Sequence, residues 1–187
     1  MRGRLASTLL AFVVLLGGCI AHPWQVIRQA VPNPLVGKTI FEVAPTSFEG
    51  LRVGGVPEGE WLAGKDGQQR QSWEGDKAGM ANEFLAALQR GAAGIGIRPA
   101  GPGAAGLVIV PHVTFVEPGF YVGVAHRSSE AQMLVQIREG QTLIDEISVG
   151  AMVPADLSNP STGGRLRAAA QRIGVITAAY LRSRVFP

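Results

Sequence analysis

Apolar residues recur along this chain in three patterns, and each predicts a different element. Around residues 133–149 they alternate. Met133, Val135 and Ile137 take every second position, Glu139-Gly140 can turn the chain, and Leu143 to Val149 returns with its own alternation, which predicts a β-hairpin with one core face. In "LVIVPHVTFV", Leu107 to Val116, the apolar run is almost unbroken, as in a buried strand, although Pro111 requires an edge position, a bulge or a break there. Shorter β-branched stretches at Thr39 to Val43 and Leu51 to Val53 add two strands, and Phe120 to Ala125 adds another after a turn at Glu117-Pro118-Gly119. The helical period appears twice. Met80, Phe84, Ala87 and Leu88 form a stripe within Asp76 to Arg90, with Asp76 as N-cap and Gly91 as stop. Leu166, Ala169, Ala170, Ile173, Thr177, Tyr180 and Leu181 form a longer stripe from about Gly163 to Arg184.

Strands, a helix, a meander and a closing helix predict an α+β fold: one sheet, mostly an antiparallel meander, covered by two helices at about 76–90 and 163–184. Residues 20–37 carry three prolines and no clear period, so they are expected to be a tether, with the folded domain spanning 39–187. Trp24, Val26 and Ile27 in that stretch suit either packing on the domain or a lipid interface.

The first residues follow a different logic. Arg2 and Arg4 precede an uncharged, mostly apolar run of about 12 residues that ends in Gly17 and Gly18, the order of a secretory signal over 1–18. A bilayer-spanning helix needs roughly 20 apolar residues, so the run is too short to remain as a span. Behind the two glycines stands Cys19, the only cysteine of the chain. Leu16-Gly17-Gly18-Cys19 resembles the lipobox of bacterial lipoproteins, which implies cleavage between Gly18 and Cys19 and lipidation of the Cys19 thiol. Small residues let an extended backbone enter a peptidase cleft, and a thiol accepts a diacylglyceryl group as a thioether. One acyl chain, at about 0.8 kcal/mol per buried methylene, holds a protein marginally, whereas two or three chains, palmitate among them, anchor it stably.

Removing the signal also changes the charge. The whole chain carries 17 basic and 14 acidic residues, +3. Without Arg2 and Arg4 the balance is 15 against 14, or +1, and the surplus that nucleic-acid binding needs is gone. With Cys19 lipidated no thiol is left for a disulfide, so the domain depends on its core, for which about 150 residues are ample.

Chemical motifs are sparse. "GPGAAG", Gly101 to Gly106, matches GxGxxG formally but runs into a strand instead of opening a helix, so it reads as a surface loop and not as a nucleotide site. His22, His112 and His126 have no second histidine at metal-ligand spacing. His112 and Glu117 lie five apart, on opposite faces of a continuous strand, unless a kink at Pro111 or Pro118 reunites them. Adjacent Asp145 and Glu146 point opposite ways and cannot share a proton. GxSxG, Walker and HExxH signatures do not occur. No catalytic residue, cofactor or metal site is therefore assigned. The arginines at 165, 167, 172, 182 and 184 could form a lipid-binding stripe, but they fit better the solvated face of an amphipathic helix.

"TFVEPGFYVG" (114–123), "LIDEI" (143–147) and "NPSTGGRLRAAAQRIGVITAAYLRSR" (159–184) resemble stretches of poorly characterised bacterial envelope lipoproteins. The layout is similar to small α/β envelope domains such as the Tol-B amino-terminal domain and the curli-secretion lipoprotein. That resemblance implies an interaction or assembly role beside a membrane, with an envelope protein as partner, and supplies no catalytic residue. Ile20 after the cysteine implies, for a Gram-negative lipoprotein, an outer-membrane address facing the periplasm. The alternative is a periplasmic hydrolase or ligand-binding lipoprotein using His112, Glu117 and Tyr121, which requires these side chains to converge on a pocket.

Overall fold

The computed structural model describes residues 23–101 and 103–187; the expected signal over 1–18, Cys19, His22 and Pro102 lie outside the described residues. In chain order the elements are β1 (Trp24–Arg28), β2 (Ile40–Val43), β3 (Arg52–Val53), β4 (Val56–Pro57), α1 (Glu58–Ala63), α2 (Gly67–Ala93), β5 (Arg98–Pro99), β6 (Leu107–Glu117), β7 (Phe120–Val122), β8 (Ala125–Arg127), β9 (Ser129–Glu139), β10 (Thr142–Val153) and α3 (Thr162–Val185). The fold is α+β. Its main sheet runs β1-β10-β9-β6-β2-β5, with β3 also on β6 and β4 on β3, while β7 and β8 form a separate two-stranded sheet. Pairing is antiparallel through β1, β10, β9 and β6, and parallel where β6 meets β2 and β3.

The alternating residues of 107–153 bury one face of each long strand. Ile109, Val113, Met133, Val135, Ile137, Ile147 and Val149 point into a core closed by α2 and α3. Pro111 sits in the interior strand β6 without loss of a ladder bond. Its carbonyl accepts from Ser47 N–H at 3.0 Å, so its missing N–H lies on that flank, where β2 has ended and β3 has not begun.

The two helices cross closely. A Cβ at Gly174 of α3 would lie 2.5 Å from the Phe84 carbonyl oxygen of α2, a contact only glycine permits. Gly91 has a similar role. It is interior to α2 rather than its stop, and a Cβ there would come within 2.7 Å of Ala178 Cβ.

Three expectations change. The helix expected from Asp76 starts at Gly67, because Asp66 and Gln69 form a reciprocal capping box, and its first turns are polar and bury only Trp73. The stretch Phe120 to Ala125 is two short strands broken at Gly123, not one. Residues 19–38 are not a free tether throughout: Trp24 to Arg28 extends the sheet as β1, and Leu35 is fully buried in the core. Proline content hid this, since the prolines flank β1 instead of interrupting it.

Candidate functional site

His112, Glu117 and Tyr121 do not converge. His112 stands mid-strand on β6, opposite Leu134 of β9 and bridged to Ser47 on its other flank. Glu117 ends β6, and a bulge between Val113 and Phe115 turns it to the same face as His112, which corrects the opposite-face expectation. Their partners Leu134 and Glu130 are still four residue steps apart on β9, a distance of roughly 14 Å along the sheet. The Glu117 carboxylate is already engaged, with Arg127 at 2.9 Å and the Gly119 N–H at 3.1 Å. Tyr121 belongs to the β7–β8 hairpin and lines a separate groove with His126, Pro154 and Leu157. Among the described residues no three His, Cys, Asp or Glu side chains come together as a metal-binding group.

What the strands do bring together is a sheet face that no helix covers. Because α2 and α3 lie on the side of Val135 and Ile147, the alternate residues of β6, β9 and β10 point the other way, and register orders them into rows. One row sets Val110, Gln136, Glu146 and Arg28 side by side; the next sets His112, Leu134, Ser148 and Gln25. The polar members are tied to one another. Gln136 donates to Glu146 at 2.7 Å and accepts from Arg138 Nε at 3.0 Å. This face is half-buried and mixed in polarity, the kind of surface on which a second protein can lie.

A buried network fixes the start of the domain. Asp145 lies opposite Ile137 on the core face of β10, in step with Ile147 and Val149, and its carboxylate is fully buried. It accepts from Tyr180 Oη at 2.7 Å, Arg184 Nε at 2.7 Å, Arg184 Nη2 at 3.2 Å and the backbone N–H of Ala30 at 2.9 Å. Arg184 also donates to the Ala30 carbonyl at 3.0 Å, and Asn33 donates to the Arg184 carbonyl at 2.7 Å. Trp24 adds an edge-on contact to the Tyr180 ring. The segment 24–37 is thereby joined to the end of α3.

Burial, and next the bond to Asp145, raise the Tyr180 pKa well above the ordinary 10.0 for a phenol. A folded pKa above the unfolded one means stability is fully present below about pH 10 and falls as pH rises past it, since the unfolded chain releases that proton first. Urea unfolding between pH 8 and pH 11 is therefore expected to show stability declining above pH 10, and Tyr180→Phe to lack that part of the slope. An identical slope in the variant would contradict the assignment.

At the sheet end formed by Glu117, Ser129 and Val153, Arg165 organises the loops. Fully buried, it donates to Ser129 Oγ, to the carbonyls of Asn159 and Pro160, to Thr162 Oγ1 and to the Pro118 carbonyl. Burial lowers its pKa, with Asp156 acting in the opposite direction. The expected solvated arginine face is thus corrected in part. Arg165 and Arg184 are core residues, while Arg172, which donates to the Met152 carbonyl, and Arg182 are exposed as expected and Arg167 is half-exposed beside Asp76 at 3.4 Å. Beside this end, Trp61, Trp73, Lys65, Asp76 and Pro118 line an open groove of about 300 Å³. Burial raises the Asp76 pKa there, against the pull of Arg167.

No family model matches the chain, and no curated protein matches it. Among solved structures it is similar to a PelC dodecamer from Paraburkholderia phytofirmans, with 9% identity over 82% of this chain and 96% of that one and a TM-score of 0.43. It is also similar to a hypothetical protein of Chlamydia trachomatis, with 10% identity over 78% of this chain and 99% of that one and a TM-score of 0.43.

Proposed function

We propose that this protein is a lipid-anchored bacterial envelope lipoprotein whose domain serves interaction or assembly and not catalysis, held through Cys19 at the outer membrane and facing the periplasm. One observation carries the reading. The lipobox cysteine stands only five residues before Trp24, the first residue of a strand that belongs to the sheet, so an anchored domain would be held against its membrane. The sheet face left bare by the helices is the surface offered to an envelope partner. Engagement of Glu117 by Arg127 and its distance from His112 count against the hydrolase alternative.

A photo-crosslinking amino acid tests this in intact cells. Placed at Gln132, exposed on the bare face, it is expected to give a discrete adduct with another envelope protein; placed at Val175, exposed on the outer side of α3, it is expected to give none. An adduct from Val175 alone would move the partner to the helical layer and overturn this surface assignment.

A further inference from the structure

Strand β1 runs antiparallel to β10, with Trp24 opposite Val149 and Arg28 opposite Glu146. Its N-terminal end therefore points toward Val153, at the same sheet end as Glu117 and Ser129. Five Cα steps from Cys19 to Trp24 span at most about 18 Å fully extended. The four residue steps of β10 from Val149 to Val153 extend roughly 13 Å in that direction. A lipid on Cys19 can therefore extend at most about 5 Å beyond this end of the sheet.

That same end carries apolar side chains that the fold does not use. Among the described residues, five of the twelve exposed large hydrophobic ones are here: Phe120, Val122, Val124, Met152 and Leu157. Val124 is fully exposed, Leu157 is 86% exposed and Val122 67%. Val122 and Val124 sit at the tip of the β7–β8 hairpin, whose two-residue loop begins at Gly123 with φ +69°, the glycine-first arrangement of a tight hairpin turn. The second position of such a loop is ordinarily polar, and a bare valine there has no role in folding. Leu157 lies across a shallow groove from the hairpin, in the loop that Arg165 holds from behind.

We propose that the hairpin tip and Leu157 dip into the headgroup region of the bilayer to which Cys19 is anchored, giving the domain a second, noncovalent foothold that fixes its orientation. This rests on the lipid-anchor reading. The occupant is a lipid surface because the covalent reach from Cys19 brings the bilayer to this end of the sheet. The contact is apolar in character: Arg127 at the hairpin base is paired with Glu117, and Arg172 at the Met152 carbonyl is offset by the acidic Glu130 and Asp156 nearby, so the charges around the patch are mixed and do not single out anionic headgroups. By contact, the bare sheet face stands upright beside the membrane.

Val124→Cys tests the proposal in the full lipidated protein. When Cys19 is a thioether, the introduced thiol is the only one that can be labelled with bimane. The control is Gln141→Cys, in the β9–β10 turn at the opposite end. Each labelled protein is placed in phosphatidylcholine nanodiscs with plain or brominated acyl chains. The expected result is loss of emission with brominated lipid at position 124 and none at 141, unchanged by added salt. With Cys19 lipidated by mass spectrometry, unquenched emission at 124 overturns the proposal and leaves the anchor standing. A blue-shifted yet unquenched probe would assign the patch to a second copy or another protein, and also overturns it. Labelling of two thiols, with the protein free of the disc, overturns the anchor reading and this proposal together.

Discussion

Replacing Asp145 with alanine is expected to cost about 3–5 kcal/mol of folding stability, the range for removing one partner of a buried ion pair. The cost arises from what stays behind. Arg184 keeps a buried guanidinium with only the Ala30 carbonyl to receive it, and the Tyr180 hydroxyl and the Ala30 N–H lose their acceptor. Unsatisfied buried groups cost more than the pair they formed contributes, so Asp145→Leu combined with Arg184→Met is expected to recover part of the loss. The damage is also local. Because the same carboxylate holds Ala30, hydrogen exchange is expected to quicken in residues 24–37 more than in β6 or β9. Urea unfolding of the three proteins measures the first effect and exchange mass spectrometry the second; a loss below about 1 kcal/mol with unchanged exchange would show that the network is not what holds the segment.

The elements that could be read from sequence are those whose burial follows one period. Strand β9 and the stripe of α3 repeat cleanly because each buries one face against one partner layer, and β6 and β10 keep that period except at one bulge each. The first half of α2 could not be read that way. It projects past the core, and only its capping residues Asp66 and Gln69 announce it. Strand β1 is a five-residue edge strand between prolines, and its pairing with β10 is a tertiary fact that no local pattern carries. The end of the helix near Arg184 did hold a signal: Arg184 lies three residues beyond Leu181 and four beyond Tyr180, so it continues the buried stripe.

The side-chain groupings were harder to read than the strands. A bulge in β6 turns Glu117 to the face of His112 and breaks the alternation on which a one-dimensional reading depends. Asp145 keeps the alternation of Ile147 and Val149 but takes its partners Ala30, Tyr180 and Arg184 from distant parts of the chain. Arg165 is the converse case. A charged residue at the start of an amphipathic helix reads as solvated, yet here carbonyls from two loops and two hydroxyls replace its water.

Cys19→Ser is expected to have the largest effect on location. A serine hydroxyl forms no thioether, so the proposed acyl chains, worth about 0.8 kcal/mol per buried methylene, would be absent. Only the small apolar patch near Val124 and Leu157 is left to touch lipid, and a patch of that size does not retain a domain through washing. The variant is expected to leave the washed membrane fraction while its folded domain is unchanged, because Cys19 precedes every residue of the core. The most direct measurement is mass spectrometry of the N-terminal peptide of the mature protein. The account predicts a peptide that begins at Cys19 and carries a diacylglyceryl group; an unmodified peptide that still contains Leu16 would contradict it.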